Sequence, residues 1–209
     1  MTAEPVRRHY DSLRRAAQAQ QTSAEIARAA RELFLANGWA ATTVRDVART
    51  AGVSVPTVYA AYGNKTGLTK ALADAADLSA DVSLLLADLE AAPQPRRQLA
   101  AMVAYDRRLY ERAGDVIMLL REAARTEPEL AQAYRDGRRR GDDAHRQVMS
   151  GWPAGTLRAD IDVPTAVDIY AAVCNIDAFS ELTAERGWPP ERVEAWWTAL
   201  LTRELLDER

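Results

Sequence analysis

The amino-acid sequence predicts an all-α fold with a small basic N-terminal head and a larger acidic body. Three observations lead there. Ala is frequent while Gly (10) and Pro (9) are sparse among 209 residues, and β-branched residues are scattered rather than clustered. Apolar residues recur at helical spacing behind capping sequences, with no strand pair, repeat or low-complexity tract. The formal net charge is −3, yet residues 1–70 hold ten Lys/Arg against five Asp/Glu, leaving seventeen against twenty-five beyond them. That asymmetry is the pattern of a localised nucleic-acid footprint.

Taken in order, Thr22-Ser23-Ala24-Glu25 has the form of a capping box, and Ile26, Ala29, Ala30, Leu33 and Phe34 follow at helical spacing up to the stop at Asn37-Gly38. Thr43-Val44-Arg45-Asp46 opens a second, short helix with Val44, Val47 and Ala48 inward. Ala51-Gly52-Val53 is a turn. Ser54 caps a third helix, Val55 to about Tyr62, with Pro56 in the first turn, where its missing N–H is harmless. After Gly63-Asn64, one long helix is expected from Lys65 to about Glu90. Further helices are expected from about Arg96 to Arg112 and, beyond Gly114, from Asp115 to Arg125. Thr126-Glu127-Pro128-Glu129 starts another, interrupted near Gly137 and Gly141. Trp152 to Asp162 reads as loop, and two amphipathic helices close the sequence, Pro164 to about Glu185 and Pro190 to about Leu206.

Two short helices separated by a tight Gly-containing turn make a helix-turn-helix. Its second helix enters the major groove by its N-terminal residues, here Ser54, Val55, Pro56 and Thr57. Ser and Thr can bond base edges or phosphate, and Val and Pro can touch thymine methyl groups. Both this helix and the one starting at Lys65 begin without an acidic residue, and Lys65 is a cation where the macrodipole disfavours one. Such starts suit an external anion, phosphate above all. Tyr59 is placed to donate to a phosphate oxygen.

The stretch Thr42-Thr43-Val44-Arg45-Asp46-Val47-Ala48, then Ala51-Gly52-Val53-Ser54, then Thr57-Val58-Tyr59, Tyr62, Lys65 and Leu68, resembles the DNA-binding signature of the TetR family of transcriptional regulators. The helix from Ile26 to Gly38 fits that family's first helix, so the resemblance covers about residues 22–72. It departs from the common pattern at Pro56, where Gly is frequent, and at Tyr62, where Phe is. The resemblance implies phosphate contacts from Thr43, Tyr59 and Lys65, base contacts from the start of the recognition helix, and an interface that also takes in Thr42, Val44, Arg45 and Tyr62. It divides the chain into a basic arm (1–21), a helix-turn-helix DNA-binding domain (22–72), and a helical ligand-binding and dimerisation domain (73–209). The arm, with Arg7, Arg8, Arg14 and Arg15, is expected to reach along the DNA backbone or into the minor groove.

The resemblance further implies a homodimer on a palindromic DNA operator, released by a small-molecule effector. An effector pocket is expected among the middle helices, from polar and polarisable residues on apolar faces. Met102, Tyr105, Met118, Arg121 and Tyr134 are candidates, with His145, Met149 and Trp152 after them and Tyr170, Cys174 and Asp177 further on. Cys174 by itself reads as a small buried hydrophobe. The last two helices resemble the family's dimer pair, with Tyr170, Phe179, Leu182, Trp196, Trp197, Leu200 and Leu201 at the interface. Aromatic residues are favoured in interface cores.

Other classes fit less well. The two histidines, His9 and His145, have no metal-binding or nucleophile–base arrangement beside them, and no glycine-rich phosphate loop or nucleophile elbow occurs. No cofactor, metal or catalysis is expected. A ligand-independent DNA-binding protein would call for a basic body, which the acidic C-terminal portion is not. No apolar run approaches the roughly 18 residues that span a bilayer. The single cysteine and the polar N-terminus suggest a cytoplasmic setting without membrane contact.

Overall fold

A computed structural model describes the backbone over residues 4–79, 82–91 and 93–207, and the side chains there apart from 4–13, 15 and 76–79. The chain folds as two compact units divided at Leu72. The elements are α1 (Glu4–Asn37), α2 (Val44–Thr50), α3 (Val55–Tyr62), α4 (Lys65–Ser79), α5 (Val82–Ala91), α6 (Pro95–Ala123), α7 (Pro128–Ser150), α8 (Val163–Val173), α9 (Ile176–Ser180), a π-helical turn (Glu181–Glu185) and α10 (Pro190–Leu205). The sole β feature among the described residues is an isolated antiparallel bridge between Leu157 and Leu206.

In the N-terminal unit, Ile26, Ala30 and Phe34 of α1, Val47 and Ala48 of α2, Val58 of α3 and Leu68 at the start of α4 are all buried, and α1, α2 and α3 pack on one another. The expected stops hold. Gly52, in the turn between α2 and α3, has φ 68°, a left-handed conformation that other residues adopt at a cost. The Thr22 capping box starts nothing, because α1 runs through it unbroken from Glu4. Its good helix formers (Ala16, Gln18, Ala19 and Gln20) let the helix continue upstream. The expected arm is therefore helical backbone from Glu4; the side chains of Arg7, Arg8 and Arg15 lie outside the described residues.

In the C-terminal unit, Leu99, Met102 and Val103 of α6, Met149 of α7, Val167 and Tyr170 of α8, and Val193, Trp197, Leu201 and Leu205 of α10 form one apolar core. Two expected breaks are absent. α6 runs through Gly114, and α7 runs through Gly137 and Gly141. The long helix expected from Lys65 to Glu90 is described as α4 and α5, residues 80 and 81 lying outside the described set. The helix expected from Pro164 to Glu185 is broken at Cys174. There Asn175 accepts from the Ala178 N–H (2.9 Å) and donates to the Ala172 carbonyl (2.7 Å). An Asn side chain that bonds nearby backbone in this way competes with the helix it sits in. The start expected at Thr126 shifts to Pro128, with no side-chain cap.

Candidate functional site

The helix-turn-helix is built from its caps. Thr43 closes a capping box on α2, its hydroxyl accepting from the Asp46 N–H (3.2 Å) while the Thr43 N–H donates to the Asp46 carboxylate (3.1 Å). The same carboxylate also accepts from the Thr43 hydroxyl (2.6 Å) and pairs with Arg49 (2.6 Å). These bonds, the Thr43 hydroxyl first, hold Asp46 below the usual carboxylate range. Ser54 caps α3 by accepting from the Thr57 N–H (3.3 Å), with the two hydroxyls 2.7 Å apart. Asn64 caps α4 through the Gly67 N–H (2.7 Å). Both caps are neutral, and the first turns of α3 and α4 hold no acidic residue. The positive ends of these two helices thus meet no carboxylate of their own first turn.

Of the expected DNA contacts, Thr43, Arg45, Ser54, Pro56 and Tyr59 are exposed, Tyr59 by 50%. Val44, Val55, Thr57 and Lys65 are half-buried. The Lys65 ammonium stands 3.8 Å over the Trp39 ring and 3.5 Å from the Ala40 carbonyl. Trp39 in turn donates to Thr69 (2.9 Å). Two residues turn inward instead. Thr42 is buried, its hydroxyl shared between the Leu33 and Gly38 carbonyls (3.2 and 3.0 Å). Tyr62 donates to the Ser23 carbonyl of α1 (2.8 Å). Their hydroxyls tie the segment after α1, and α3, to α1 itself.

The C-terminal unit gathers some of the expected effector residues and scatters others. Met102, Met149, Tyr170 and Cys174 share the core, and Trp152 packs on it while donating to Gln98 (2.8 Å). His145 lies ring against ring with Tyr170, centroids 4.2 Å apart. Arg121 and Asp177 form instead an ion pair (2.5 Å) linking α6 to α9, with Tyr134 beside it. Tyr105 is half-buried and Met118 is exposed, so Met118 is not part of the core.

At the centre sits a residue the sequence analysis did not select. Asp106, 6% exposed, accepts from the Tyr170 hydroxyl (2.9 Å) and lies 3.6 Å from His145 Nε2. Burial, partly offset by the Tyr170 bond and reinforced by Asp142, raises its carboxyl to about 7. Burial lowers His145 to about 4. Near neutral pH the imidazole is therefore uncharged, and the proton this cluster carries as pH falls below about 7 goes to the carboxyl. Tyr110 donates to the Cys174 carbonyl (3.1 Å) nearby. The available signal was register: Leu99, Met102, Val103, Asp106 and Tyr110 fall on one face of α6, so a carboxyl stands at a core position.

Four of the expected dimer residues are internal. Tyr170, Phe179, Trp197 and Leu201 are buried in the chain's own core, because the stripe Val193, Trp197, Leu201 and Leu205 of α10 points at α6 and α8. Leu182 and Leu200 are half-buried. Trp196 is 43% exposed and meets Trp188 edge-on, centroids 6.1 Å apart.

An all-α chain whose first unit is a helix-turn-helix with two acid-free helix starts defines a DNA-binding protein of helical type. Residues 26–79 match the family model of bacterial regulatory proteins, tetR family. Solved structures share the fold along nearly the whole chain. NalD, the secondary repressor of the MexAB-OprM multidrug efflux pump in Pseudomonas aeruginosa, is 19% identical, with a TM-score of 0.73 over 92% of this chain and 99% of its own. A candidate transcriptional regulator from Saccharomonospora viridis, solved with choline, is 18% identical, with a TM-score of 0.73 over 90% of this chain and 100% of its own. FadR from Bacillus subtilis, solved with stearoyl-CoA, is 16% identical, with a TM-score of 0.71 over 86% and 97%. No curated relative matches the sequence. Among the described residues no helix is long and apolar enough to cross a membrane, and no three candidate metal ligands cluster.

Proposed function

We propose that this regulator is a homodimeric repressor that grips a palindromic operator with two helix-turn-helix heads and is released when a small molecule binds its C-terminal unit. The observation that carries the DNA-binding part is the pair of helix starts, at Ser54 and Asn64, capped by neutral side chains and free of acid. Such ends attract phosphate. Arg45, Thr43, Tyr59 and Lys65 surround them as phosphate contacts, and Ser54, Val55, Pro56 and Thr57 reach base edges. A basic arm at the N-terminus adds backbone contacts.

Palindrome reading needs two heads about one helical turn, roughly 34 Å, apart. The dimer surface in this reading is the outer face of α10 with the turn before it: Trp196, Trp188, Leu200 and Leu182. Release follows from linkage. An effector that favours the form with splayed heads lowers operator affinity by the factor by which the operator lowers effector affinity, about 5- to 150-fold.

Operators selected by the purified protein from a random DNA pool test the reading. The expected product is an inverted repeat with half-sites one turn apart. An asymmetric consensus, or no enrichment, overturns it. On that operator Lys65→Ala weakens binding to every sequence and flattens the salt dependence, whereas Thr57→Ala changes base preference. Identical effects from the two substitutions would contradict the assignment.

A further inference from the structure

Asp106 is a buried carboxyl without a cation. Its contacts are the Tyr170 hydroxyl at 2.9 Å and His145 Nε2 at 3.6 Å, the latter beyond hydrogen-bond reach. No Lys or Arg pairs with it among the described residues, and its charged neighbour is Asp142, of the same sign. A buried carboxyl so placed costs stability, and an apolar or amide residue in its place would pack the core at less cost. A polar atom beside it is unsatisfied: His145 Nδ1 is buried and has no hydrogen-bond partner. The rings of Tyr170 and His145 lie nearby, centroids 4.2 Å apart and planes tilted by 48°, and Met102 and Met149 contribute polarisable bulk to the same core.

We propose that the C-terminal unit recognises an effector carrying an organic nitrogen cation, an amine or quaternary ammonium, which pairs with the Asp106 carboxylate beside the rings of Tyr170 and His145. The proposal rests on the reading of this unit as the effector domain and names the class of its ligand. Ring faces attract cations, and desolvation strengthens that attraction. A phosphate or carboxylate ligand placed against Asp106 would meet that carboxyl and the like charge of Asp142, while the influence of Arg138 is seen at Tyr110 and not at Asp106. A metal ion is a poor fit, since no three candidate ligands come together among the described residues. Ligand arrival ionises Asp106, so binding expels the proton held there. The titratable and charged neighbours are Tyr110 on the same helix, Tyr134, Arg138, Asp142 and His145 on α7, Tyr170 on α8 and Cys174 just past its end. Of these, Tyr110, Tyr170 and Cys174 are pushed up by burial and stay neutral, and His145 is neutral above about 4.

The test is calorimetric titration of the full chain with choline and with benzyltrimethylammonium, each against its uncharged carbon isostere, 3,3-dimethylbutan-1-ol and neopentylbenzene. The wild type is expected to bind at least one cation about tenfold or more tightly than its isostere. Asp106→Asn, which still accepts from Tyr170, is expected to abolish that preference. Titrations in buffers of different ionisation heat at pH 6 to 7 should show proton release by the wild type and none by the variant. Equal affinity for cation and isostere, an undiminished preference in Asp106→Asn, or no binding of either cation overturns the proposal. The comparison of isosteres on the wild type decides the matter even if the variant fails to fold. Operator binding is measured separately. A protein that binds its operator and neither cation leaves the regulator reading standing without this one, and a protein that binds cations but no operator does the reverse.

Discussion

Asp106 and His145 push the stability of the C-terminal unit in opposite directions as pH changes. Asp106 keeps its proton up to about 7 when folded and loses it near the ordinary carboxylate value when unfolded. Folding therefore takes up a proton, and the contribution of this group is full below about pH 4 and declines as pH rises to about 7. His145 is the reverse case. It stays neutral down to about 4 when folded and protonates near its ordinary value of 6.5 when unfolded. Its contribution is present above about pH 6.5 and lost as pH falls toward 4. Each slope approaches about 1.4 kcal/mol per pH unit in its window, so the two nearly cancel between about pH 4.5 and 6.5. Relative to wild type, Asp106→Asn should gain stability as pH rises across that window, and His145→Gln should lose it. Urea midpoints measured from pH 4.5 to 7 check this; parallel curves for the three proteins would contradict the burial of both groups. In the head, Tyr62→Phe should cost about 1 kcal/mol of stability through the lost bond to the Ser23 carbonyl, and should leave operator affinity at saturation unchanged.

At the scale of elements, the two middle helices show why glycine misleads. Gly114, Gly137 and Gly141 all read as interruptions, and all three lie inside continuous helices. They differ in what surrounds them. A Cβ at Gly114 would come within 2.8 Å of Ile176 Cδ1, whereas at Gly141 it would meet nothing within 4 Å. Gly114 is thus small because α9 packs against it, and that contact has no trace in the local sequence. Gly141→Ala is expected to raise stability by about 0.5–1 kcal/mol through helix propensity alone. Gly114→Ala should lower it by about 1 kcal/mol or more, the crowding outweighing the propensity gain. Adding Ile176→Val, which removes the offending methyl, should recover part of that loss. A thermal-denaturation cycle over the two sites reads the coupling. The capping box at Thr22 failed for the complementary reason. A box stabilises a helix start only where the upstream residues do not prefer helix themselves, and here they do.

At the scale of the whole molecule, the proposed function calls for a division of labour between a basic unit and an acidic one and for the pairing of two copies. Trp196, exposed at 43% beside Trp188, is the test point. Trp196→Glu is expected to shift the protein toward monomer in sedimentation velocity and to weaken operator binding by well over tenfold, since one head alone forfeits half the contacts. A dimer unaffected by this change would place the interface elsewhere. Trp197→Glu, one position on, should instead unfold the C-terminal unit, because Trp197 is fully buried.

What the sequence by itself determined is local. The helix-turn-helix was legible to the residue, Val44–Thr50 and Val55–Tyr62, because caps, a turn glycine and helical spacing act over three or four residues. The same holds for the acid-free starts of α3 and α4 and for the charge division between the two units. Tertiary structure decided everything that depends on a partner distant in the chain. It turned the hydroxyls of Thr42 and Tyr62 inward and took Trp197 and Tyr170 from the expected dimer face into the core. It also set Asp106 against Tyr170, a residue 64 positions away. Periodicity tells which side of a helix is apolar; only packing tells whether that side meets its own chain, a second copy or a ligand.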